Sequence, residues 1–234
     1  MNKNNILYAV IAIVVVAVLV FAFSGRKSTE QTSEVTADPF ASNKLAVKNL
    51  ELNDGSYNVS EEESLIIWAG SKPLITNYVD KGTLLVKSGS FNIENGALTN
   101  GEININMDSL VATEVAKGGT EGLTRHLRSA DFFDVENHPS ATIVLLDVLP
   151  ESQPEEGYYV FNAAITIKGI TNNAEIAAEV YTGEDGRTFI LGEASLDRTL
   201  WDVRFGSGKF FEDLADNLID DYFAVEFIFV GIPS

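Results

Sequence analysis

From about residue 53 onward, apolar and polar side chains alternate along much of the chain. Glu102-Ile103-Asn104-Ile105-Asn106-Met107 puts Ile103, Ile105 and Met107 on one face and the polar residues on the other, the period of a half-buried β-strand. Tyr159, Phe161, Ala163, Ile165 and Ile167 make a second stripe. Ile176, Ala178 and Val180 make a third, and Phe223, Val225, Phe227 and Phe229 the last. Leu65 to Ala69, Leu84 to Val86 and Ile143 to Val148 are more continuously apolar. They read either as strands covered on both faces or as strands of open register. Glu94-Asn95-Gly96 and Glu184-Asp185-Gly186 carry the dipeptides that tight hairpin turns prefer. Asn100-Gly101 is a third such dipeptide and marks either a turn or a bulge. Many short strands at regular spacing predict an antiparallel sandwich or barrel.

Two stretches leave the period of two. Thr120 to Ser129 has Leu123 and Leu127 four apart, with Thr120 in an N-cap position. Phe210 to Asp220 spaces Phe211, Leu214, Leu218 and Ile219 helically, with acids on the other side. A short helix is expected at each. Ahead of the strands, Ile6 to Phe23 is apolar throughout, without charge or proline. Its length suits a membrane span of ~17–25 residues better than the ~7–15 residue apolar region of a cleaved signal. Residues 1–27 are therefore expected to be a signal anchor, with a signal peptide cleaved after Ser24 as the alternative. Lys3 before the run and Arg26-Lys27 after it give no usable orientation bias. Residues 28–52 are polar and aperiodic and read as a flexible linker. Asn53-Asp54-Gly55 is a turn signal that opens a domain over residues 53–234, long enough for one barrel with a real core.

The formal net charge is −18 with a pI near 4.3. Phosphate backbones repel such a chain, so nucleic acid is excluded as a partner. Anionic headgroups repel it too, except through the N-terminal run. There is no cysteine, hence no disulfide, thiolate metal site or lipoprotein anchor. The two histidines, His126 and His138, have no metal-ligand spacing. No G-x-S-x-G occurs. Gly206-Ser207-Gly208-Lys209 is close to a phosphate loop, but Val203 replaces the first glycine and Phe210 the Ser/Thr, so it reads as a tight turn. Nothing here supports catalysis, and no cofactor or metal is expected.

An eight-stranded barrel has room for packed side chains or for one ligand. Trp68, Ile105, Phe161, Ile165, Phe189 and Phe227 are candidates to line such a space, and equally to fill it. Three further stretches carry a resemblance. His126-Leu127-Arg128-Ser129-Ala130-Asp131-Phe132-Phe133-Asp134 is followed by His138-Pro139. Ile165-Thr166-Ile167-Lys168-Gly169-Ile170-Thr171 and Leu196-Asp197-Arg198-Thr199-Leu200-Trp201 come later in the chain. In order and spacing they resemble the bacterial YceI-like, polyisoprenoid-binding family over roughly Asn53 to Gly231.

That resemblance implies a lipocalin-like, eight-stranded antiparallel barrel outside the cytoplasm, in the periplasm or cell envelope. It implies non-covalent binding, carriage or storage of a long apolar lipid, a polyisoprenoid or isoprenoid quinone. The cavity set then becomes Trp68, Ile105, Phe132, Phe133, Phe161, Ile165, Phe189, Trp201 and Phe227. Leu127, Phe132 and Phe133 would plug an open end. Arg125, His126 and Arg198 would meet a polar head, arginine being suited to phosphate by its forked donors. The other reading of the arginines is architectural, Arg128 and Arg198 pairing with Asp131, Asp134 or Asp197. One departure stands out: Asp80 occupies the place of a histidine common in the family's second strand. A barrel with a filled interior that binds a partner protein, and an enzyme using His126 as acid or base, remain alternatives. Monomer and homodimer are both open.

Overall fold

The computed structural model describes residues 51–183 and 185–234. The expected membrane-length run Ile6 to Phe23, and the linker up to residue 50, lie outside the described residues. Nine strands form one sheet: β1 (Gly55–Val59), β2 (Leu65–Ser71), β3 (Val79–Glu94), β4 (Ala97–Glu114), β5 (Ser140–Val148), β6 (Tyr158–Ile167), β7 (Ile170–Thr182), β8 (Thr188–Asp197) and β9 (Tyr222–Pro233). Each strand from β2 to β9 pairs antiparallel with the next, and β9 pairs back onto β2. β1 runs on into β2 along the same two neighbours, β3 and β9, so the pair share one position. The result is a closed, up-and-down barrel of eight staves. Closure leaves no free sheet edge, which removes the usual route to edge-to-edge aggregation.

The alternation predicted from the sequence decides what faces inward. Tyr159, Phe161, Ala163, Ile165 and Ile167 are all buried, as are Ile176, Ala178 and Val180 and the run Ile103, Ile105, Met107. Asn95 and Gly96 take positive φ in the β3–β4 turn, as a type I′ hairpin requires. Asn100-Gly101 lies within β4, where the pairing slips from Asn92↔Asn100 to Ile93↔Leu98, so it belongs to a bulge. Gly82 marks a close approach. A Cβ there would lie 1.9 Å from the Val111 carbonyl oxygen and 2.4 Å from the Trp68 ring, so only glycine lets β2, β3 and β4 pack at that height.

The two ends of the barrel differ. At one end the β3–β4 turn, the β5–β6 connection and the β7–β8 turn are short, and aromatic side chains fill the interior. Tyr57 stacks on Phe91 at 5.0 Å and Tyr159 on Phe161 at 5.4 Å. We call this end the floor. At the other end two long excursions fold over the opening. The first holds α1 (Thr120–Arg128), the one α-helix among the described residues. Its N-cap is Gly119 rather than Thr120. Glu121 in its first turn and Arg125, His126 and Arg128 in its last match the helix dipole.

The second excursion, residues 198–221, does not contain the helix expected over Phe210 to Asp220. Over Phe210 to Asp220 only a single 3₁₀ turn forms, at Ala215–Asn217. Asp213 and Ala215 both have positive φ, which ends any right-handed helix. The Ile219 N–H donates to the Gly206 carbonyl at 2.8 Å instead of to a carbonyl one turn back. Long-range ties thus override the local periodicity. The Gly206–Lys209 stretch is a tight turn, the N–H groups of Phe210 and Phe211 both reaching the Ser207 carbonyl.

Candidate functional site

Beneath the two excursions lies a cavity of about 360 Å³. The strand stripes build its wall. Ile66 and Trp68 come from β2, Ile105 and Met107 from β4, Ile143 from β5, Ile165 and Ile167 from β6, and Phe223, Val225 and Phe227 from β9. Its roof is aromatic. Leu123 and Leu127 of α1 point down into it, followed by Phe132 and Phe133, with Phe205 from the second excursion. After α1 the chain doubles back, the N–H of Phe133 donating to the Leu127 carbonyl and that of Val135 to the Arg128 carbonyl. Asp134 takes positive φ to allow it. This turn drives Phe132 inward to 6 % exposure. His126 sits edge-on between Phe132 and Phe205, at 5.0 and 4.6 Å.

The polar groups of the wall gather at the rim: Ser71 and Lys72 where β2 ends, Tyr78 and Asp80 around the start of β3, and Asn217, Asp220 and Tyr222 before and at the start of β9. Lys72 donates to the Asp216 carbonyl at 3.0 Å and lies over the Tyr78 ring at 5.3 Å. Asp80 accepts from the Ala116 N–H at 2.8 Å. Burial pushes the Tyr78 phenol upward, and the Asp80 carboxylate pushes it further, so this rim carries a neutral phenol beside a carboxylate. The Trp68 indole N–H is buried without a hydrogen-bond partner among the described residues.

Of the residues singled out in the sequence, Trp68, Ile105, Phe132, Phe133, Ile165, Phe227, His126 and Arg198 come together around this cavity. Four do not. Phe161 lies two inward positions nearer the floor than Ile165, with Ala163 between them, against a separate void of about 60 Å³. Phe189 faces outward, because Thr188 and Ile190 take the inward positions of β8, and it stacks on Tyr181 at 5.2 Å. Trp201 is fully buried outside the cavity wall, its indole N–H donated to the Ile165 carbonyl at 3.0 Å. Arg125 lies in a shallow groove outside α1 with Glu121, Thr124 and Arg128, one helical step from the inward face.

Arg198 reaches the cavity wall with four of its five N–H groups already donated to backbone carbonyls. Its Nε donates to the Asp220 carbonyl at 2.9 Å, Nη1 to those of Val203 and Phe205 at 2.8 and 2.9 Å, and Nη2 to that of Ile219 at 3.2 Å. The remaining Nη2 hydrogen faces Asp221 at 3.6 Å. Burial lowers its pKa, against the opposing pull of Asp221, Asp197 and Asp220. Arg128 is paired with Asp108 at 3.1 Å and Asp197 with Lys209 at 2.6 Å. The arginines are therefore architectural, with Asp108 and Asp221 as partners in place of the carboxylates expected. Lys72 and Tyr78 were missed because the sequence tied the mouth to α1 alone. Their signal was the polar break between β2 and β3, which opens at the same end of the barrel.

The YceI-like domain profile matches residues 57–230 of the chain. None of the curated proteins matches the sequence. Two solved structures align over nearly their whole length. Burkholderia cenocepacia BcnA is 16 % identical with a TM-score of 0.56, covering 74 % of this chain and 98 % of that one. A polyisoprenoid binding domain from Saccharophagus degradans, implicated in plant cell wall breakdown, is 14 % identical with a TM-score of 0.54, covering 78 % and 100 %. At such identities the likeness is one of fold.

Proposed function

The chain belongs to the YceI-like domain family, and on that premise we propose that its barrel binds an isoprenoid lipid or isoprenoid quinone without covalent chemistry, for carriage or storage. The observation that carries this reading is the cavity of about 360 Å³, apolar in its depth and polar only at its rim. That is the usual make-up of a site for an apolar ligand with one polar end. A solved neighbour described as a polyisoprenoid binding domain supports it. The tail lies among Ile105, Ile165 and Phe227, and the head stays at the rim near Lys72, Tyr78 and His126. At roughly 0.8 kcal/mol per buried CH₂, ten carbons contribute ~8 kcal/mol, enough for micromolar binding before ordering costs.

A non-catalytic role accords with the residues around His126. Its nearest carboxylate, on Asp131, is exposed and 3.6 Å away, beyond hydrogen-bond distance of the ring. The open cavity also speaks against a barrel filled by its own side chains.

Organic extraction of the purified protein followed by mass spectrometry tests the reading, and an isoprenoid lipid or quinone is the expected product. Ile165 is 3 % exposed in the cavity wall. Ile165→Trp should empty the extract while the protein stays folded, since such overpacking costs about 1–3 kcal/mol. An extract without lipid from the native protein, or unchanged lipid from the variant, contradicts the reading.

We also place the barrel outside the cytoplasm, held at the membrane by the apolar run Ile6 to Phe23. In fractionated cells the chain should remain with the membranes and keep its original N-terminus. A soluble chain beginning near Gly25 would make the run a cleaved signal instead.

A further inference from the structure

Beneath the main cavity, toward the floor, lies the void of about 60 Å³ lined by Phe91, Leu98, Phe161, Ile176 and Phe229. Among the described residues only two side chains face both spaces, Phe227 and Ile143. They form a partition across the barrel. The Phe227 ring is stacked on Phe229 at 4.5 Å and 19°, so the wall of packed aromatics continues below it. Its position depends on its register partner on β8, Gly192. A Cβ on Gly192 would lie 2.3 Å from Phe227 Cζ, so any other residue there would push the ring away. The barrel interior is thus divided at a fixed height, and only the upper part is open.

We propose that Phe227, with Ile143, sets the length of the chain that the cavity accepts, and that the occupant is an isoprenoid with about three five-carbon units inside the barrel. This rests on the lipid reading given above. A dry protein cavity takes benzene at about 150 Å³, or roughly 25 Å³ per carbon. On that scale a cavity of about 360 Å³ encloses about fourteen carbons. A fourth unit meets the Phe227 ring and has to stay at the rim, among Lys72, Asp80 and Asp220, where its carbons gain nothing. Replacing Phe227 by alanine removes roughly 100 Å³ of side chain and joins the two spaces, giving room for about one more unit. Ile143→Ala opens the same partition from β5, where the side chain is only partly buried and the fold is disturbed less.

The test is a competition. The full chain, stripped of lipid, is incubated with equal amounts of geraniol, farnesol, geranylgeraniol and solanesol, then re-isolated and its bound prenols quantified by mass spectrometry. The Ile165→Trp chain supplies the background. The native chain should retain farnesol at least about tenfold over geraniol. Geranylgeraniol and solanesol should be retained no better than farnesol. In Phe227→Ala and in Ile143→Ala the preference should move to geranylgeraniol. Geranylgeraniol or solanesol retained clearly better than farnesol by the native chain overturns the proposal, as does an unchanged preference in both opened variants, and either result leaves the lipid reading intact. No prenol retained above background overturns the lipid reading and this proposal together.

Discussion

Glu226 stands on the outer wall of β9, between Phe227 and Val225, which face the cavity. Its register partner on β8 is another acid, Glu193, and on β2 it is Ile67. One carboxylate oxygen of Glu226 is buried with no hydrogen-bond partner among the described residues. Burial first, and then the charge of Glu193, push the Glu226 pKa up to about 7, while Lys81 pulls the other way. The folded protein therefore holds this proton more tightly than the unfolded chain does. That contribution to stability is complete below the ordinary glutamate pKa, about 4.3, and is lost as the pH rises through about 7. Glu226→Gln mimics the protonated side chain. It should be more stable than the native protein at pH values above that window, with the difference closing as the pH falls toward the lower end. Denaturant melts across the window check this, and a difference independent of pH contradicts it.

At the scale of elements, residues 198–221 show where local pattern yields to distant ties. Their apolar spacing is helical, yet the carbonyls of Val203, Phe205, Ile219 and Asp220 are gathered around the Arg198 guanidinium. A forked side chain with five N–H groups can serve them all, and lysine, with three donors on a point charge, cannot. Arg198→Met should cost about 3–5 kcal/mol, the range for removing one partner of a buried charged cluster. Arg198→Lys should recover little of it. Limited proteolysis should then cut within 199–221 while the barrel strands persist, and an uncut segment would show that Arg198 does not hold it. Sequence periodicity could not reveal this, because it reports neighbours along one element and not carbonyls brought together by a side chain. The same limit explains Phe189. Its aromatic character suggested a cavity residue, but the inward positions of β8 belong to Thr188 and Ile190, and only the pairing register decides that. Where the sequence supplied a clean alternation, as on β6 and β7, the buried faces were legible in advance. α1 was legible too, through Leu123 and Leu127, while its neighbours across the mouth, Lys72 and Tyr78, lie more than forty residues earlier and carried no joint signal.

Over the whole molecule, closure depends on the last strand meeting the first. β9 pairs with β2 through Ala224 to Ile228 and with β1 through Gly231 to Pro233. Alternation alone predicts inward faces and leaves sandwich and barrel equal, so closure became legible only through the family resemblance. The described strands need nothing from the first fifty residues to complete their pairing. A chain beginning near Asn49 should fold by itself, giving a circular dichroism spectrum dominated by β signal, and a mainly helical or unfolded spectrum would contradict this. The shared stave has a further consequence. β1 enters at Gly55 beside Ile93, and β9 leaves at Pro233 beside Tyr57, so entry and exit lie together at the floor. The cavity opens at the opposite pole. Whatever is joined to the barrel through the residues before β1 or after β9, whether a membrane, a resin or another protein, takes hold of it by its closed end. Attachment there is made at the pole away from Lys72, Tyr78 and His126.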